Sequence, residues 1–92
     1  VTIQWATLAL LDLSRLYEFL AIRNRDAAAL TVQALVGVPA RLPQNSRIGE
    51  RLAQFEPREV RRVLVGDYEV RYESRESHIY VLRLGYSRED RP

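Results

Sequence analysis

A chain of 92 residues that is 47% hydrophobic has material for one core but not for two, and it is too apolar for wholesale disorder. The absence of cysteine removes disulfides, thiolate chemistry and most zinc sites, and a net charge of +2 is too small to drive non-specific DNA binding. All 14 basic residues are arginine, whose planar donor fork suits carboxylates and phosphates, although a GC-rich coding sequence leaves the same bias.

Val1, Ile3 and Trp5 alternate with Thr2 and Gln4, which predicts a short first strand with one buried face. Thr7 is placed to cap a helix running to about Ile22, with Ala9, Leu13, Leu16 and Leu20 as its inward stripe. Asp12, Arg15 and Glu18 are assigned to the opposite side. Leu8, Leu11, Phe19 and Ile22 make this helix more apolar than one buried face requires. That surplus serves either packing against a second helix or a partner surface. Asn24 caps the second helix, Asp26 sits in its first turn, and Ala28, Val32 and Leu35 form its stripe. Gly37 and Pro39 are expected to end it, and the short break at Asn24 implies an antiparallel helical hairpin.

Residues 39–57 carry three prolines and read mostly as loop, with Arg51–Phe55 a helical turn or an irregular edge strand. Val60–Val65 is the second strand, and Gly66-Asp67 is a two-residue hairpin turn. Tyr68, Val70 and Tyr72 then alternate with Glu69, Arg71 and Glu73 in the third strand. Ser74–Ser77 form a turn, with His78 exposed in it, and Ile79–Leu84 the fourth strand. The expected fold is α+β: an N-terminal strand, then an antiparallel helical hairpin packed on a small, largely antiparallel four-stranded sheet. The other sheet face must display Arg, Glu and Tyr. The longest apolar stretch is interrupted by Arg15, Glu18 and Arg23, and no basic leader precedes an apolar core, so a cytoplasmic protein without a membrane span is expected.

The run Arg58-Glu59-Val60-Arg61-Arg62, then Val65-Gly66-Asp67-Tyr68-Glu69-Val70-Arg71-Tyr72, then Val81-Leu82-Arg83 and Ser87-Arg88-Glu89 resembles the RelE/ParE superfamily of bacterial toxins. Trp5-Ala6 with Ala9 and Asp12-Leu13 looks like the family's opening helix. Asn24 with Ala28, Leu42-Pro43 and Arg47-Ile48-Gly49 look like its inter-helix turn and the loop before its sheet. The resemblance implies one toxin domain over residues 1–92, from a type II toxin–antitoxin module, in a hetero-oligomer with a cognate antitoxin that neutralises it. It implies no cofactor. ParE-like members inhibit DNA gyrase by binding, whereas RelE-like members cleave mRNA on the ribosome.

Cleavage through a 2′-hydroxyl needs a proton acceptor, a proton donor and cations for the phosphorane. Arg61, Arg62, Arg83 and Tyr86 are the candidates if the chain is a nuclease. Glu69, however, stands where the nucleases commonly place arginine, and Tyr86 stands where they often place histidine. Tyrosine, with an ordinary pKa near 10, is a poor base at neutral pH. The ParE-like alternative is therefore favoured, with no catalytic residue assigned. Its expected target-binding residues are Arg83, Tyr86, Arg88 and Arg91, and its antitoxin-binding residues Leu8, Leu11, Phe19 and Ile22. Arg61 and Arg62, adjacent in a strand, must point to opposite faces. A lone His78 without cysteine argues for no metal.

Overall fold

The computed structural model describes residues 2–88. Strand β1 (Thr2–Trp5) leads into helix α1 (Thr7–Ala21), followed after a tight turn by helix α2 (Arg25–Arg41). Strands β2 (Glu50–Arg51), β3 (Val60–Val65), β4 (Tyr68–Arg75) and β5 (His78–Tyr86) complete the fold, with 3₁₀ turns at Leu42–Gln44 and Ala53–Phe55. The sheet has five strands in the order β1-β5-β4-β3-β2, antiparallel except that β1 runs parallel to β5 along one edge.

Four expectations are corrected here. Helix α1 begins at Thr7 rather than being capped by it; Ala6 occupies the cap position and offers no side-chain acceptor. Helix α2 continues through Gly37 and Pro39 to Arg41, because Val38 and then Leu42 are buried against the sheet and Pro39 itself is buried. That packing outweighs the hydrogen bond a proline removes. A fifth strand, β2, emerges from the expected loop, and the Ala53–Phe55 turn follows directly, so both alternatives for that segment are realised in succession. Ser74 and Arg75 still belong to β4, and the last strand runs from His78 to Tyr86. His78 is thus a half-buried strand residue, with Thr2 Oγ1 hydrogen-bonded to its Nδ1.

The hairpin covers one sheet face. Its core joins Ala9 of α1 and Leu35 and Val38 of α2 to Val70, Val81 and Leu84, flanked by Ile3, Trp5, Leu13, Leu16, Val63, Val65 and Tyr68. A second cluster forms where Leu42 meets Tyr72 and Ile79. On β5 the inward residues are Val81 and Leu84, three apart, because the register against β4 slips between Arg71 and Tyr72. Tyr72 lies opposite Val81 and Arg71 opposite Arg83, leaving Leu82 as the extra residue of a β-bulge.

Asn24 caps α2 by accepting from the Ala27 N–H at 3.0 Å, and Gly66 turns the β3–β4 hairpin with a φ of 59°. Gly49 is needed for a different reason. A Cβ there would lie 2.7 Å from the Arg62 carbonyl oxygen and 3.1 Å from the Tyr72 hydroxyl. The Tyr72 hydroxyl donates to the Ser46 carbonyl at 2.7 Å and accepts from the Gly49 N–H at 3.3 Å, holding the loop before β2 onto the sheet. Burial pushes that phenol's pKa up, so it stays protonated. Gly49→Ala is expected to cost about 2 kcal/mol, since backbone must move and the hydroxyl's bonds lengthen. A urea midpoint unchanged from the parent would contradict this.

Candidate functional site

The open face of the sheet is an ordered lattice of opposite charges. Arg62 on β3 lies directly opposite Arg71 on β4, a pairing that would repel if left alone. The Glu69 carboxylate, almost fully buried, resolves it: one oxygen accepts from Arg62 Nη1 at 3.2 Å and the other from Arg71 Nη2 at 2.9 Å. Arg62 also donates to Glu50 at 2.9 Å, and that bond heads the influences that raise its pKa. Buried Glu73 is served in the same way by Arg58, through Nε at 3.2 Å and Nη2 at 2.8 Å. The hydrogen bonds from Arg58 hold the Glu73 carboxyl below the usual range despite burial. Phe55 lies beneath the guanidinium groups of Arg58 and Arg71, with ring centroids 6.0 and 5.7 Å away.

Arg61 points the other way. It donates to Glu59 at 2.7 Å and to the Gly49 carbonyl at 2.7 Å, so it braces the loop near Tyr72. Arg61 and Arg62 therefore occupy opposite faces, and neither joins Arg83 and Tyr86.

Arg83 and Tyr86 do come together, in an open groove of about 820 Å³ between the tip of the helical hairpin and the ends of β4 and β5. Leu16, Phe19, Leu20 and Leu84 supply apolar walls, and Arg15 and Arg23 stand on the helical side. Tyr86 is directly opposite Tyr68 across the strands, with ring centroids 5.2 Å apart. Desolvation, with the nearby Tyr86 and Asp67, pushes the Tyr68 phenol up, so it stays protonated there. Ser87 closes this end of the sheet, its N–H and hydroxyl both donating to the Asp67 carbonyl, at 2.9 and 3.0 Å.

Asp12 requires a correction. The sequence places it outward with Arg15 and Glu18, yet its carboxylate turns to the β5 bulge. It accepts from Arg83 Nε at 2.8 Å, Arg83 Nη2 at 3.1 Å and the Leu84 N–H at 3.0 Å. Burial alone would raise this carboxyl; the bonds from Arg83 and Leu84, with the positive fields of Arg83 and Arg15, outweigh it and hold the pKa below 3.8. Arg83 is thus a side chain held in place at the groove wall.

Leu8, Leu11, Phe19 and Ile22 are all exposed along α1, and Phe19 borders the groove. Arg88 is exposed just beyond β5, and Arg91 lies outside the described residues. Sequence reasoning missed Asp12 and Tyr68 as parts of this groove and Phe55 on the open face. The one available signal was the spacing of Glu69 and Glu73, four apart on one strand face among arginines. Among the described residues no group of three or more His, Cys, Asp or Glu could hold a metal ion, and no helix is long and apolar enough to cross a membrane.

The profile of the family described as "ParE toxin of type II toxin-antitoxin system, parDE" matches residues 3–91. A solved structure titled "Chromosomal ParDE TA system from P. aeruginosa" superposes with a TM-score of 0.77 at 20% sequence identity, covering 94% of this chain and 95% of that one; at that identity the likeness is one of fold. No curated protein sequence matches the chain.

Proposed function

This chain belongs to the ParE toxin family of type II toxin–antitoxin systems, and from that premise we propose that it inhibits DNA gyrase by binding, without chemistry of its own. Its site of action is then the cytoplasm, and a cognate antitoxin holds it inactive by covering Leu8, Leu11, Phe19 and Ile22. The observation that supports binding over RNA cleavage is the position of Glu69. Its carboxylate sits between Arg62 and Arg71 and is almost fully buried, so together with Glu50 on Arg62 it offsets two cations that a phosphorane would need. The other nuclease candidates are dispersed: Arg61 braces a loop, and Arg83 is bound to Asp12. The surface offered to gyrase is the groove end with Arg83 and Tyr86 on its wall, together with Arg88 and, further along the sequence, Arg91.

Two assays on the purified chain test this together. Gyrase supercoiling should fall with added toxin, while translating ribosomes should yield no mRNA cut at defined codons. Codon-specific cleavage, abolished by Arg83→Ala, would reverse the assignment in favour of a ribosome-dependent nuclease.

A further inference from the structure

We propose that, free of other partners, the outer face of α1 pairs antiparallel with the same face of a second copy of this chain. At 3.6 residues per turn, Leu8, Leu11, Arg15, Glu18, Phe19 and Ile22 fall within one arc of about 100°. Ala9, Leu13, Leu16 and Leu20 form a separate stripe on the side turned to the sheet and α2. The outer arc is uncovered: Leu8, Leu11, Phe19 and Ile22 are 53%, 43%, 67% and 84% exposed. Four large apolar side chains in one stripe are more than scattered surface residues.

What identifies the occupant is the charge pattern inside the stripe. Arg15 and Glu18 lie between Leu11 and Ile22 in the sequence. In an antiparallel pair centred between Leu16 and Tyr17, Leu11 meets Ile22 of the second copy and Arg15 meets Glu18. The two-fold axis then repeats both contacts, as an isologous interface demands. The alternatives fail on charge. A register centred on Arg15 sets Leu8 against Ile22 and Leu11 against Phe19, but brings the two Arg15 guanidinium groups together. A parallel pair sets each residue against its own copy, Arg15 on Arg15 and Glu18 on Glu18. Like charges at such contacts oppose association, so of these three arrangements only the first joins opposite charges. In it Leu11 and Ile22 form the apolar contacts, while Leu8 and Phe19 lie opposite Arg25 and Ser14 of the second copy.

One helix per copy buries less than the ~1,200 Å² of a stable complex, so the dimer is weak and reversible. The self-pairing does not depend on how the antitoxin binds. If the antitoxin covers the same residues, as proposed above, the two associations exclude each other, and that competition alone rests on the earlier reading.

Sedimentation equilibrium of the full chain over the micromolar range tests the pairing. The parent should show a monomer–dimer equilibrium. Arg15→Glu and Glu18→Arg, each alone, convert both symmetric attractions into repulsions and should weaken it by about tenfold or more. An equimolar mixture of the two variants restores opposite charges at both contacts and should form the heterodimer at parental strength or better, which also shows that both variants fold. A parent that stays monomeric, single variants that dimerise like the parent, or a mixture no stronger than its components would each overturn the proposal. So would a monomeric parent whose α1 face is protected from hydrogen exchange only when antitoxin is added, which would leave that face to the antitoxin alone.

Discussion

Alanine in place of Asp12 is expected to lower the stability of the fold by about 2–3 kcal/mol, a large effect for a single surface-bordering residue. The carboxylate accepts three hydrogen bonds from β5, two from the Arg83 guanidinium and one from the Leu84 N–H. Its loss leaves the Leu84 N–H at a β-bulge without that acceptor, beside a buried Leu84 side chain. The guanidinium contributes less than a buried ion pair would, because the Arg83 side chain is 51% exposed and water can replace its partner. Arg83→Ala should therefore cost only about 1 kcal/mol, and a double-mutant cycle should find the two residues coupled. The acid dependence has a definite sign. Because the folded-state pKa of Asp12 is held below 3.8, the unfolded chain takes up the proton first as pH falls. The stabilisation is complete above about 3.8 and is lost as pH drops through the lower folded value. Asp12→Asn should keep one acceptor, lose roughly half as much stability as Asp12→Ala, and abolish this share of the acid dependence. Urea titrations at neutral and acid pH decide the matter: parallel acid profiles for the parent and Asp12→Asn would refute it.

Deleting the chain from Arg88 onward should abolish gyrase inhibition and growth arrest while leaving antitoxin binding within about 2 kcal/mol of the parent. The structure fixes where such a cut belongs. A cut after Leu84 would remove Gly85 and Tyr86 from β5, break the Tyr68–Tyr86 pair and release the Ser87 bonds to Asp67. It would damage the fold along with the surface. A cut after Ser87 keeps every strand of the described residues and that closure while removing Arg88 and Arg91, the last two arginines of the sequence. The two readouts must separate. A shortened protein that inhibits supercoiling at the parental concentration would place the active surface elsewhere, most naturally on the groove wall at Arg83 and Tyr86. Loss of both activities with an unchanged urea midpoint would mean that antitoxin and target share the tail.

The nearest-neighbour physics of this chain was written in its sequence. Alternation marked β1 and β4; helical spacing marked both helices; Asn24 signalled its own cap, and Gly66 its turn. Such signals are local, since each depends on residues within one or two turns or across one hairpin. The apolar surplus of α1, the source of both proposed partner contacts on that face, was legible for the same reason. The order of motifs also carried the family resemblance, which the profile match over residues 3–91 then established.

Tertiary structure decided what depends on distant partners. Helix α2 passes Gly37 and Pro39 because Val38 and Leu42 find a sheet to bury against. The two-residue β2 exists only through its pairing with Arg61 and Arg62. The bulge on β5 sends Arg83 towards α1, where it meets Asp12 across 71 positions of sequence. In the sequence Asp12 is one more polar residue on a helix, and Glu69 one more alternating charge on a strand. Burial and opposed arginines give each its role, and both arise only when segments far apart in the chain are packed side by side.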